Sequence, residues 1–270
     1  GRPWTVVTGE LAEKDAGFIA REIEFLKGKT DRRIKATLPA PALLGERMWD
    51  ADKSRPAYPT RRSFVEACVP LLRRELALLR DAGADIVQID DPHLCLLVDE
   101  KVRATYDDPD AEADFAAAMT NAVVEGIDGV RLAVHLCRRA GARVRGEALH
   151  TGSYGPILAH LNRLKVNHLT MEFTSPGAGD AEVFTALRED FEIGLGCVSV
   201  HPGEVDSPDG GILRVQTGGG PHLAPLLGLV SGPFCGLFWG SFREPNLFPK
   251  DKGTQWFWCF GVDRLGPLLG

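Results

Sequence analysis

The chain has 270 residues, 44% of them hydrophobic and 25% charged, with a net charge of −6 and a pI near 5.7. That is the make-up of an ordinary globular protein, and with no basic excess to neutralise phosphates it argues against a general binder of nucleic acid or acidic membranes. No apolar run reaches the roughly 18–20 residues a membrane helix needs, no apolar signal segment opens the chain, and six cysteines without a secretory context point to reduced thiols in a cytoplasm.

Short apolar runs alternate with helical patterns. Residues 4–8 read as a strand, 14–27 as a helix, and 33–38 as a second strand that Pro39 and Pro41 stop. Residues 61–82 place Phe64, Ala67, Cys68, Leu71, Leu72, Leu76 and Leu79 at helical spacing and end at Gly83, a fitting C-cap. Strand 85–90 runs into two carboxylates, Asp90 and Asp91, and helix 108–125 ends at Gly126. The apolar run 130–134 predicts a buried strand leading into His135 and Cys137. Ser153-Tyr154-Gly155-Pro156 opens a helix over 157–164. Strands follow at 166–173 and 192–200 with a short helix at 181–187 between them, and run 226–230 leads toward Cys235. This rhythm predicts an α/β fold, a parallel sheet with helices outside it. No Gly-rich phosphate loop stands between a strand and a helix.

Four candidate metal ligands sit at strand ends: His135, Cys137, Glu172 and Cys235. Two thiolates favour zinc over magnesium or calcium. Ligands drawn from the ends of several strands suit the mouth of a closed barrel of the (β/α)8 TIM type, where active sites are built, better than a doubly wound sheet. A purely structural zinc stays open, and so does a chain without metal. Cys68, Cys95, Cys197 and Cys259 read as small buried apolar residues.

Five motifs in order carry a resemblance: Gln88-Ile89-Asp90-Asp91-Pro92, His135-Leu136-Cys137-Arg138, Leu169-Thr170-Met171-Glu172, Leu195-Gly196-Cys197-Val198-Ser199-Val200-His201, and Gly232-Pro233-Phe234-Cys235-Gly236. They resemble the catalytic C-terminal barrel of the cobalamin-independent methionine synthase superfamily. Gly152-Ser153-Tyr154 and the stretch 175–180 look most like its short relatives, the methionine-synthase-like proteins and the epoxyalkane:coenzyme M transferases. The resemblance covers residues 35–236 and implies one barrel domain over 1–270, without the family's first two strands and with a poorly matched tail at 237–270.

The resemblance implies a zinc enzyme that transfers an alkyl group, most simply methyl, to a thiol such as homocysteine. Zn2+ would sit on His135, Cys137, Glu172 and Cys235. The partners implied are the thiol and an alkyl donor, a methylfolate or another, with neither nucleic acid nor membrane; a homo-oligomer stays open. His201 becomes a candidate general acid for the leaving group. Asp90 would hold a substrate ammonium by a charge-assisted bond, with Asp91 beside it; strand-end capping by the two carboxylates is the alternative. Thiol addition to an epoxide, and a truncated barrel without turnover, are the competing functions. Two departures stand out: Asp91 replaces the family's usual Glu, and Arg139-Ala140 follows Arg138 where short relatives often have Gly-Asn.

Overall fold

The described residues of the computed structural model are 5–139, 150–174, 177–179 and 182–196, with the backbone of 256–259. Five strands form a parallel sheet in chain order: β1 (Arg33–Pro39), β2 (Ile86–Asp90), β3 (Arg131–Leu136), β4 (His168–Glu172) and β5 (Glu192–Gly196). A short sixth strand, β6 (Trp256–Cys259), runs parallel to β1 on its other side, so among the described residues the tail supplies the last strand on that side.

The two faces of the sheet differ in chemistry because strand side chains alternate. Ile34, Ala36, Leu38, Val87, Ile89, Leu132, Val134, Leu136, Leu169, Met171 and Ile193 point one way and join a single apolar core. The helices bury their apolar stripes against that face. They include α1 (Phe18–Lys27), which contributes Ile19 and Ile23, and α3 (Arg61–Asp81), which contributes Phe64, Cys68, Leu72, Leu76 and Leu79. Helix α6 (Pro109–Val124) contributes Ala113, Ala116 and Val123. Each fully buried aliphatic side chain contributes about 1.5–3 kcal/mol. The opposite face carries Lys35, Thr37, Gln88, Asp90, His135, His168, Thr170 and Glu172 in register.

Local signals set the helix starts. Thr60 and Ser63 cap α3 reciprocally, and Asp108 caps α6 ahead of Pro109. The remaining helices are short: α2 (Pro41–Met48), α4 (Pro92–Leu96), α5 (Glu100–Arg103), α7 (Leu158–Leu161) after a 3₁₀ turn, and α8 (Glu182–Thr185).

Several sequence expectations need correction. Residues 5–8 form no strand, because Val7 is pinned elsewhere: its N–H donates to Met48 O (2.9 Å) and its carbonyl accepts from Ser54 Oγ (2.6 Å). Helix α1 starts at Phe18, four residues later than the periodicity predicts. Gly17 takes a left-handed φ of 73°, and the buried Glu75 carboxylate accepts from Gly17 N (2.9 Å) and Ile19 N (3.2 Å), fixing the start there. Pro41 does not merely stop β1; it opens α2. The helix expected over 157–164 is one turn of α7, ended at Asn162. Residues 197–200 of the expected fifth strand and all of 226–230 lie outside the described residues. Among the described residues, no helix is long and apolar enough to cross a membrane.

Candidate active site

Three neighbouring strands deliver the site. Asp90 ends β2, His135 is the penultimate residue of β3 and Glu172 ends β4, all at the C-terminal edge and on the polar face. Asp90 and His135 are register partners. Cys137 follows β3 directly. The run predicted at 130–134 therefore extends two residues further, and His135 lies within the strand.

A hydrogen-bonded chain fixes His135. Its Nδ1 lies 3.1 Å from Asp90 Oδ1, which also accepts from Gln88 Nε2 at 2.6 Å. Gln88 Oε1 in turn accepts from Thr170 Oγ1 at 3.2 Å, which sets the amide's orientation. Facing a carboxylate oxygen, Nδ1 is the donor, so whenever the ring is neutral its lone pair resides on Nε2. Cys137 lies near the same ring and interacts with it electrostatically. Burial opposes charge on His135, but the Cys137 thiolate and Asp90 outweigh it and raise its pKa to about 10. Burial likewise opposes the Cys137 thiolate, and the His135 charge outweighs it, holding that thiol below its usual value.

Glu172 is held differently. Its Oε1 accepts from Thr174 N (2.5 Å) and Thr174 Oγ1 (2.6 Å), and its Oε2 accepts from Arg138 Nη1 (2.9 Å). Arg138 is fully buried. It also donates to Glu172 O (2.9 Å) and Gly152 O (2.6 Å) and lies 4.5 Å from the Tyr154 ring centroid. Tyr154, also fully buried, accepts from Glu172 N at 3.0 Å and donates to Glu172 O at 2.9 Å. Gln88, Arg138, Tyr154 and Thr170 stood inside the quoted motifs, but their contacts come from distant segments; Thr174 gave no signal.

Asp91 is fully buried, and its oxygens serve the fold: Oδ1 caps α4 at Leu94 N (2.9 Å) and Oδ2 accepts from Thr120 Oγ1 (3.3 Å). Burial raises its pKa, more than these hydrogen bonds lower it. Cys68 and Cys95 are buried thiols whose pKa burial pushes up, Cys68 to about 12. His201 and Cys235 lie outside the described residues. Among the described residues, no three His, Cys, Asp or Glu side chains stand close enough to hold an ion. The donor set still suits zinc chemically, with an imidazole oriented by a carboxylate beside a thiol of lowered pKa.

Residues 49–237 match the family model described as the cobalamin-independent synthase, catalytic domain. The chain is 25% identical to a methionine synthase of Pyrococcus furiosus over 196 residues, 72% of this chain and 48% of that protein. It is 24% identical to one of Pyrococcus abyssi over 220 residues, 81% of this chain and 55% of that protein. The chain thus spans about half the length of these curated relatives. In fold it is similar to a B12-independent methionine synthase from Shewanella solved with selenomethionine, with TM-score 0.61 and 18% identity over 77% of this chain and 56% of that one. It is also similar to a methyltransferase from Methanosarcina mazei, with TM-score 0.54 and 16% identity over 77% of this chain and 57% of that one. Matched across more than two thirds of its length by the family model, the chain belongs to the cobalamin-independent methionine synthase superfamily, in its catalytic domain.

Proposed function

We propose that this chain carries a zinc-dependent alkyltransferase site that moves a methyl group onto a thiol of the homocysteine type. The observation that carries the reading is the convergence of Asp90, His135, Cys137 and Glu172 at the C-terminal edge of three adjacent parallel strands. That edge is where barrel enzymes place their chemistry. The unreversed strand order and the helices packed on the apolar face suit an arc of such a barrel, within one domain.

His135, Cys137, Glu172 and Cys235 would hold the ion. When bound, zinc replaces the proton of an incoming thiol, so that a thiol of pKa about 8.5 serves as a thiolate at neutral pH. Asp90 keeps the His135 ring in the tautomer that offers Nε2. Its carboxylate also favours a thiol bearing an ammonium over one bearing a sulfonate, which puts homocysteine ahead of coenzyme M. The packing of Asp91 supports a capping role, so substrate contact falls to Asp90. His201 is kept as the proton donor to the leaving group, a methylfolate or another alkyl donor. Three unpaired cysteines among the described residues suit a reducing, cytoplasmic setting.

The test is zinc content by elemental analysis of purified protein, wild type beside Cys137→Ala. About one zinc per chain, lost in the variant, is expected, followed by methylation of homocysteine in preference to coenzyme M. Folded, reduced wild type without zinc would overturn the reading.

A further inference from the structure

We propose that Arg138 is a positioning residue that competes with the metal ion for the Glu172 carboxylate and so sets how strongly Glu172 acts as a ligand. The inference rests on the reading above, in which His135, Cys137 and Glu172 serve one zinc site.

Arg138 follows Cys137 immediately, yet its side chain is 0% exposed and faces Glu172. A buried guanidinium in this place needs a reason, since charge is costly to bury. Its anchors do not depend on the Glu172 carboxylate. Nη2 donates to Gly152 O at 2.6 Å, Nη1 donates to Glu172 O at 2.9 Å, and the cation lies 4.5 Å from the Tyr154 ring centroid. Tyr154 is itself tied to both the N–H and the C=O of Glu172. The guanidinium is therefore a fixed positive charge, bound to backbone that β4 holds in the sheet.

The Glu172 carboxylate docks onto this frame. Oε2 accepts from Arg138 Nη1 at 2.9 Å, while Oε1 takes the Thr174 N–H and hydroxyl at 2.5 and 2.6 Å. Coordination through Oε2 sets the ion's charge beside the guanidinium that already withdraws charge from that oxygen, and the anchored guanidinium cannot move away. Coordination through Oε1 requires Thr174 to release it, with Arg138 still withdrawing charge through Oε2.

The contrast with His135 is informative. Its partner Asp90 accepts a hydrogen bond from the ring, which makes the other nitrogen a better donor. Arg138 donates to Glu172, which makes the carboxylate a poorer one. Two ligands on neighbouring strands are thus tuned in opposite directions by the residues behind them.

The experiment measures zinc affinity by competition with a chromophoric chelator for wild type, Arg138→Met, Arg138→Lys, Glu172→Gln and the Arg138→Met/Glu172→Gln double variant. Removing the competitor is expected to tighten zinc by about 10- to 100-fold, the range of a hydrogen bond to a charged group. The shift should vanish in the Glu172→Gln background. Saturating zinc should also raise the melting temperature of Arg138→Met more than that of wild type, because the ion replaces the missing counter-charge. Unchanged or weaker zinc binding in a folded Arg138 variant, or the same shift without the Glu172 carboxylate, would overturn the proposal. If Arg138→Met does not fold, Arg138→Lys carries the test: it keeps the charge, loses the fork geometry, and should bind zinc several-fold tighter. Wild type that binds no zinc, or binds it independently of Cys137, defeats the functional reading; zinc-binding wild type with indifferent Arg138 variants defeats this inference alone.

Discussion

Lys35 offers the sharpest quantitative test of the polar face. It lies in β1, 3% exposed, and burial pushes its pKa down to about 7, with Asp90 pulling the other way. In the unfolded chain a lysine titrates near 10.4. Because the folded value is depressed, the unfolded state binds more protons between pH 7 and pH 10, and stability must rise with pH across that window. The rise approaches about 1.4 kcal/mol per pH unit once the folded lysine is neutral, and integrates to about 2 kcal/mol between pH 7 and pH 9. The perturbation is Lys35→Met, which keeps the length of the stem and removes the titration. Urea unfolding at pH 7, 8 and 9 gives the difference in stability between variant and wild type, in which the other titrating groups largely cancel. The variant should lead wild type most at pH 7 and lose about 2 kcal/mol of that lead by pH 9. A difference independent of pH would refute the reasoning, because it would mean that Lys35 keeps its proton in the fold.

His168 works on the acid side. Burial, with Lys35 and Arg131 nearby, lowers its pKa to about 3 from a normal value near 6.5, so its contribution is present above pH 6.5 and is lost as pH falls toward 3. His168→Val should flatten the acid limb of a pH–stability curve by up to about 1.4 kcal/mol per pH unit; an unchanged limb contradicts the assignment. Gly152 adopts φ 132°, and a Cβ there would collide with the Val98 carbonyl. Gly152→Ala should cost about 2 kcal/mol or more in chemical denaturation; a neutral result would show that the backbone can relax there. Asp90→Asn should raise KM for an amino-acid thiol while sparing a thiol without an amine. An equal effect on both would reduce Asp90 to its support of His135.

What the sequence discloses depends on how local its cause is. Helices α3 and α6 were legible because periodicity, caps and terminal glycines lie within one segment. The strand runs leading to Asp90, His135 and Glu172 were legible for the same reason, and they bring these residues, with Cys137 just after His135, to the C-terminal edge of the sheet. Residues 4–8 misled because a five-residue apolar run looks the same whether the sheet or a loop takes its hydrogen bonds; here Met48 and Ser54 take those of Val7. The start of α1 was hidden because its cap, Glu75, lies 58 residues from Gly17. Arg138 was visible only as the last residue of a motif, with no role attached. Charged residues are rarely buried unless paired, and its partners Gly152, Tyr154 and Glu172 come from later segments.

The strand order also dictates a timetable. From β1 to β5 every new strand docks beside the one made just before it, so the growing sheet never waits for distant chain. The exception is β1 itself, whose second neighbour, β6, is encoded roughly 220 residues later. At a synthesis rate of about 5–20 residues per second, the pairing of β1 with β6 must wait about 10–45 seconds on the ribosome. A bare parallel edge is a template for any passing strand. During that interval the outer edge of β1 is, among the described strands, the one left longest without its partner.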